Sequence, residues 1–298
     1  MRARVSQVIV TSSYRGDFER CRLLCDSIDA RVTGHSRHII AVEARDVAMF
    51  KVLEGSKREI VDERDLFPWW LRAVPDLTHR GRRSIWLSLK GPIMHGWHTQ
   101  QLRRIVLGSR LRETTMVTVD SDVVFLRPVH TSQFETASGK TYFYRKPGGV
   151  AEALPQYRDE HRRWSKKAGE LLGIETPPHT DTGYIYNLVT WATDSVRDMN
   201  ARIEAVSGKD AFRTLAATRI LSECTIFGRF VEEVEGVTKR HEETNEPFAA
   251  TYWDHERLDE AALDRFVSAM RPKEIALGVQ SFTGTDTGLI RRVAGLEG

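Results

Sequence analysis

Two aspartates one residue apart are the part of this sequence best suited to chemistry. They sit in the stretch Met116-Val117-Thr118-Val119-Asp120-Ser121-Asp122-Val123-Val124-Phe125. The run before them is apolar and β-branched, with no 3.6-residue rhythm. That pattern predicts a strand buried on both faces. Two unpaired carboxylates inside such a strand would be costly to bury. Asp120 and Asp122 are therefore expected at its open carboxyl end, where open α/β sheets bind ligands. Carboxylates in that place can hold a hard divalent cation together with a diphosphate. The plain alternative is an Asx-type turn that closes a strand. The mid-chain position and the following Phe125-Leu126-Arg127-Pro128 favour the metal reading.

The elements that must position this pair can be read along the chain. Residues 5–10 predict a first buried strand that ends in a polar loop, Thr11-Ser12-Ser13-Tyr14. A helix starts at Gly16-Asp17, with Phe18, Cys21, Leu24, Cys25 and Ile28 on one apolar stripe and Arg20 and Arg22 off it. Residues 39–42 and 59–61 predict two more strands, with a short helix capped by Asp46 between them. The β-α-β-α-β order predicts a parallel sheet. No G-x-G-x-x-G motif follows the first strand, so a dinucleotide fingerprint is absent. Thr11, Ser12 and Tyr14 are candidates for contacts to a base or ribose, and ordinary loop polarity explains them equally well.

Residues 67–92 predict irregular structure. Trp69-Trp70 is either a carbohydrate-stacking platform or core, with burial the commoner fate. The basic run His79-Arg80-Gly81-Arg82-Arg83 reads as a solvated loop or an anion site. Gly96-Trp97-His98-Thr99-Gln100-Gln101 opens a helix reaching about Val106. Gln100 and Gln101, near a helix start that favours anions, are candidates to hydrogen-bond a sugar or phosphate.

Further on, residues 141–144 predict a strand and residues 156–172 a helix. A loop then runs into a strand through Gly183-Tyr184-Ile185-Tyr186-Asn187, with His179 and Asp181 at its mouth as acceptor contacts or catalytic groups, or equally as parts of a capped polar turn. Residues 221–228 predict a helix stopped by Gly228. Glu223 lies in an apolar neighbourhood. It is either a base with raised pKa or a structural carboxylate paired with an Arg. Residues 248–253 and 275–279 predict late strands, and Gln280-Ser281-Phe282-Thr283-Gly284 begins a polar tail.

Composition sets the outer bounds. The 298 residues are 41% hydrophobic, enough for a sizeable core. The 44 basic and 41 acidic residues nearly balance, at a net +3. That balance leaves no nucleic-acid footprint. Three cysteines, Cys21, Cys25 and Cys224, form no framework and suit a reducing, cytoplasmic setting. No signal-peptide core and no transmembrane segment is expected.

Together these segments resemble a poorly characterised bacterial family of GT-A-like glycosyltransferases with unknown acceptors. The match rests on residues 11–18, Gly96-Trp97-His98-Thr99-Gln100-Gln101 and Val119-Asp120-Ser121-Asp122. It continues through residues 183–187 with Thr190-Trp191, Ser222-Glu223 with Gly228, and Tyr252-Trp253 with Gln280-Ser281-Phe282. The resemblance implies an α/β fold, GT-A-like, with a Rossmann-like mixed sheet and helices on both faces. It implies a single domain over residues 1–298, with a nucleotide-binding half to residue 130 and an acceptor-binding half after it. It also implies a nucleotide-sugar donor, UDP-sugar favoured, and Mn²⁺ or Mg²⁺. Thr11, Ser12, Tyr14, Trp97, Gln100, Gln101, Asp120 and Ser121 then become donor-binding candidates, with Asp120 and Asp122 as metal ligands. One departure stands out. Where a further metal ligand would be sought, before Tyr252-Trp253, this chain has Ala249-Ala250-Thr251, and His255 just beyond is the substitute candidate. An inverting reaction would need a base, with Glu223 the first choice and Asp181 the second. The competing readings are a nucleotidyltransferase and a non-catalytic nucleotide-sugar or glycan-binding protein.

Overall fold

The computed structural model of the chain describes residues 6–79 and 83–296. The framing elements, in chain order, are β1 (Gln7–Ser12), α1 (Phe18–Arg31), β2 (His38–Val42), β3 (Arg58–Asp62), α2 (Gly96–Arg110), β4 (Thr115–Val119) and β5 (Val123–Phe125). After them come α3 (Pro155–Leu172), β6 (Leu188–Ala192), α4 (Thr193–Ser207), α5 (Glu223–Arg229), β7 (Ala249–Tyr252) and β8 (Ala276–Val279). The main sheet has the order β6-β4-β1-β2-β3. β1, β2, β3 and β4 run parallel, and β6 joins antiparallel to β4. A second sheet, β7-β8-β5, begins immediately after the Asp-Ser-Asp turn.

The continuous apolar runs bury both faces, as a covered parallel sheet requires. Val8 and Val10 of β1 pack with Leu102, Ile105, Val196 and Phe227, which belong to α2, α4 and α5. Ile9, between them, packs on the other face with Leu24 and Ile28 of α1. Helices thus lie on both faces. The parallel strands turn their carboxyl ends to one edge, which is also the amino end of β6.

Four expectations need correction. β1 runs through Thr11 and Ser12, which were expected in a loop. Thr11 is fully buried, and its hydroxyl meets His38 Nε2 at 3.0 Å across the sheet, so it is committed to β2 and not open to a ligand. Residues 67–92 are not irregular. Leu71–Pro75, Ser84–Ser88 and Met94–His95 form a small antiparallel sheet, with Trp70 buried and Trp69 exposed. Arg80, Gly81 and Arg82 of the basic run lie outside the described residues. The expected polar tail is structured: Ser281–Thr283 forms a 3-10 turn and Asp286 caps a helix over Thr287–Val293.

Gly228 is the fourth correction. It does not stop α5, which continues through Arg229 into a π-helical turn, Phe230–Glu235. A Cβ there would lie 2.3 Å from Cγ of Tyr184, a buried ring whose hydroxyl donates to Glu232 at 2.7 Å. Close approach of the ring, not helix termination, requires the glycine. Gly228→Ala should therefore destabilise by about 1–3 kcal/mol through overpacking, despite the helix-propensity gain of about 1 kcal/mol. A urea midpoint that rises in this variant would refute the packing assignment.

Candidate functional site

Asp120, Ser121 and Asp122 form the tight turn from the main sheet into the second. The backbone holds it on both sides. Asp120 N–H donates to the Asn187 carbonyl at 2.9 Å, at the entrance to β6, and Val279 N–H at the end of β8 donates to the Asp122 carbonyl at 3.2 Å. Asn187 clamps the two sheets further. Its Oδ1 accepts from the Thr251 hydroxyl at 2.9 Å, and its amide lies over Gly278, where a Cβ would come within 1.7 Å of Nδ2. The parallel strands of the main sheet meet this turn with their carboxyl ends, the ends that open α/β sheets use for ligands.

Asp122 is half-buried, with one carboxylate oxygen turned fully inward. Its Oδ2 accepts from Ser281 N–H at 3.1 Å, while Oδ1 is buried with no hydrogen-bond partner. Burial, followed by the Asp120 and Asp17 charges, pushes its carboxyl up to about 7. Asp17 is the third carboxylate of the cluster. It is buried, accepts from the Ser121 hydroxyl at 3.2 Å and is also pushed upward, first by burial and further by Asp120, against the pull of Ser281, Ser121 and Arg20. Arg20 lies behind the cluster but spends its guanidinium on the Val279 and Thr285 carbonyls, both at 2.9 Å. Tyr14 is half-exposed at the rim. Burial and then the Asp17 charge raise its phenol, and its ring lies over Gly16.

Arg104 of α2 connects this cluster to a second one. Its guanidinium pairs with Asp120 and, through Nη1 at 2.6 Å, with Glu223 at the start of α5. Burial opposes its charge, but the Asp120 and Glu223 carboxylates outweigh that and raise its pKa. Gln101, one turn earlier on α2, accepts the Glu223 N–H on Oε1 at 2.9 Å and leaves Nε2 buried without a partner. Glu223 therefore has the arginine partner of its structural reading.

The profile of one family covers nearly the whole chain, matching residues 3–293. The chain belongs to the family of unknown function DUF6492. No curated protein matches it. Among solved structures it is similar to the apo form of WbbM, a bifunctional glycosyltransferase, with a TM-score of 0.45 and 11% identity over 93% of this chain and 46% of that one. The chain thus spans about half the length of that protein.

In this DUF6492 chain, Asp120, Ser121, Asp122, Tyr14, Gln101 and Glu223 converge on one locality. Ser12 is buried at the end of β1 with its hydroxyl unpartnered, and Gln100 is half-buried on α2. Trp97, at the start of α2, is exposed and packs on Trp164. His255 contacts Tyr157 and Phe282. Asp181 is exposed and faces Arg162 at 3.8 Å, not the carboxylate cluster. A cavity of about 620 Å³ lined by Trp70, Phe212, Leu102 and Asn200 lies elsewhere along α2 and shares no residue with the cluster. Asp17, Arg104, Arg20 and the Asn187 clamp escaped sequence reasoning. Asp17 looked like a helix-start residue, and Arg104 is one of many arginines. Its position three and seven residues after Gln101 and Trp97 on one helical stripe was the available signal.

The oxygen donors suit a hard divalent cation, and the unpartnered Oδ1 of Asp122 is the atom such an ion would satisfy. Among the described residues, no three His, Cys, Asp or Glu side chains are grouped to hold an ion by themselves. A raised carboxyl pKa also sets a pH dependence. The folded chain prefers Asp122 protonated, so its contribution is full below the ordinary 3.8 and is lost as pH rises through about 7. In EDTA, Asp122→Asn should gain stability relative to the parent between about pH 4 and about pH 8. A difference in melting temperature that stays flat across this window would show that Asp122 is not buried as an unpaired carboxylate.

Proposed function

We propose that this chain is a metal-dependent glycosyltransferase with a GT-A-like arrangement, a nucleotide-sugar donor and Mn²⁺ or Mg²⁺ at the Asp pair. The observation that carries the reading is the buried, unpartnered Asp122 Oδ1 at the carboxyl edge of a parallel sheet, with Asp17 and Asp120 beside it. Asp122, with Asp120, would hold the cation. Asp17, through Ser121, and Ser281 orient the Asp-Ser-Asp turn. A cation bound there supplies charge neutralisation to a departing diphosphate. Tyr14 offers a half-exposed ring to the base, and Gln101 Nε2 is an unspent donor beside Glu223.

We assign Glu223 the task of holding Arg104, and through it Asp120. A proton accepted on Glu223 would remove the charge from its 2.6 Å pair with the guanidinium and weaken it, which makes this carboxylate a poor general base. Removing the charge should then disturb the donor site as well as the chemistry. Glu223→Gln is expected to weaken nucleotide binding with Mn²⁺ and donor turnover together. A loss of at least about a hundredfold in transfer with nucleotide binding intact would instead mark a general base.

The cation dependence is tested by thermal shift with UDP. Because the cluster lacks a closed set of ligands, Mn²⁺ alone should stabilise the chain little. UDP with Mn²⁺, at about a hundredfold its dissociation constant, should add about 2.7 kcal/mol. Equal shifts with Mn²⁺ and with EDTA would refute a metal-mediated diphosphate site.

A further inference from the structure

A row of six aromatic or imidazole rings runs along the surface from one edge of the carboxylate cluster. Phe282 packs on His255 with centroids 4.8 Å apart. His255 faces Tyr157 at 6.2 Å and hydrogen-bonds its hydroxyl at 2.9 Å. Tyr157 lies in the first turn of α3, and His161 follows one turn later on the same face. His161 packs on Trp164 at 4.9 Å, and Trp164 on Trp97 at 5.4 Å. Each of these ring pairs is inclined by only 30–37°. Phe282 and Trp97, at the two ends, are 57% and 53% exposed.

Both ends return to the carboxylate cluster. Phe282 directly follows Ser281, whose N–H holds Asp122. Trp97 shares a stripe of α2 with Gln101 and with Arg104, which pairs with Asp120. Seven residues of helix place Trp97 about 10 Å along the axis from Arg104.

We propose that this strip binds carbohydrate and that it is the acceptor surface of the site. The second half rests on the glycosyltransferase reading; the first does not. Single exposed aromatics need no explanation, but here two three-ring clusters sit one helical turn apart, with Phe282, His255 and Trp97 exposed and Tyr157, His161 and Trp164 half-buried, and such a patch marks a binding surface. A sugar ring has a face of C–H groups that packs on aromatic faces and hydroxyls at its edge that need polar partners. The strip supplies both, because Phe282 and Trp97 are more than half exposed and Tyr157, His161 and His255 carry polar edges between them. On this assignment Trp97 serves the acceptor rather than the donor. His255 serves the strip rather than the metal.

The test is a tryptophan-fluorescence titration of the full chain with cello-, chito-, manno-, galacto- and malto-tetraose. Thermal shift by UDP with Mn²⁺ is measured on the same samples. At least one tetraose should bind the parent chain, and Phe282→Ala and Trp97→Ala should each weaken that binding by about tenfold or more. Both substitutions are at exposed positions, and circular dichroism checks the fold. Loss of the UDP–Mn²⁺ shift in the parent chain with tetraose binding intact would remove the glycosyltransferase reading and leave the carbohydrate strip standing. The proposal is overturned if no tetraose binds at millimolar concentration or if both variants bind as the parent does. It is also overturned if the substitutions change only the oligomeric state, the mark of a protein-docking surface.

Discussion

Like-charge repulsion at a buried sheet edge is the constraint on which this structure turns. Asp17, Asp120 and Asp122 converge where the parallel strands end, and one of them has a carboxylate oxygen with no partner. Such a group is costly to bury, so the surroundings are arranged to hold it. Ser281 N–H and the Ser121 hydroxyl bond the carboxylates, Arg20 lies behind them, and the turn itself is fixed by main-chain bonds to Asn187 and Val279. The remaining deficit is positive charge at Asp122. That deficit is what the cation of the proposed function would fill.

The two-sheet construction explains how the turn can be rigid. Asp-Ser-Asp joins β4 of the main sheet to β5 of the second, so each aspartate is anchored by a different sheet. Asn187 ties the sheets together where Gly278 leaves room for its amide. On the other side, Arg104 carries the charge network into the helical layer. Asp120, Arg104, Glu223 and Gln101 form one chain of contacts from the sheet edge to α2 and α5. Breaking a buried ion pair by removing one partner typically costs about 3–5 kcal/mol, so this chain of contacts has a structural role.

The aromatic strip extends the site outward. Its members come from the start of α2, the first half of α3, the loop after β7 and the turn after β8. The same short segments that fix the carboxylates, Ser281 and the Gly96–Arg110 helix, also carry the two ends of the strip. The carboxylate cluster and the aromatic strip are therefore linked through common backbone.

Much of the frame was legible in the sequence because it depends on local periodicity. Continuous β-branched runs specify buried strands, and β4, β2 and α1 lie close to where the pattern places them. The position of the Asp pair at a strand end followed from the cost of burying charge. Local pattern failed where partners are distant. Thr11 reads as a loop residue until His38, on the neighbouring strand, takes its hydroxyl. Gly228 reads as a helix stop until Tyr184 is seen against it. Asp17 and Arg104 look like ordinary helix residues, because partners such as Ser121, 104 positions from Asp17, and Glu223, 119 positions from Arg104, leave no mark in local spacing. Sequence determined the parallel strands of the main sheet, the longer helices and the place of the Asp-Ser-Asp turn, since these follow from side-chain period and polarity. Only the tertiary structure decided which charges face one another and which rings line up, because pairing energies act through space and not along the chain.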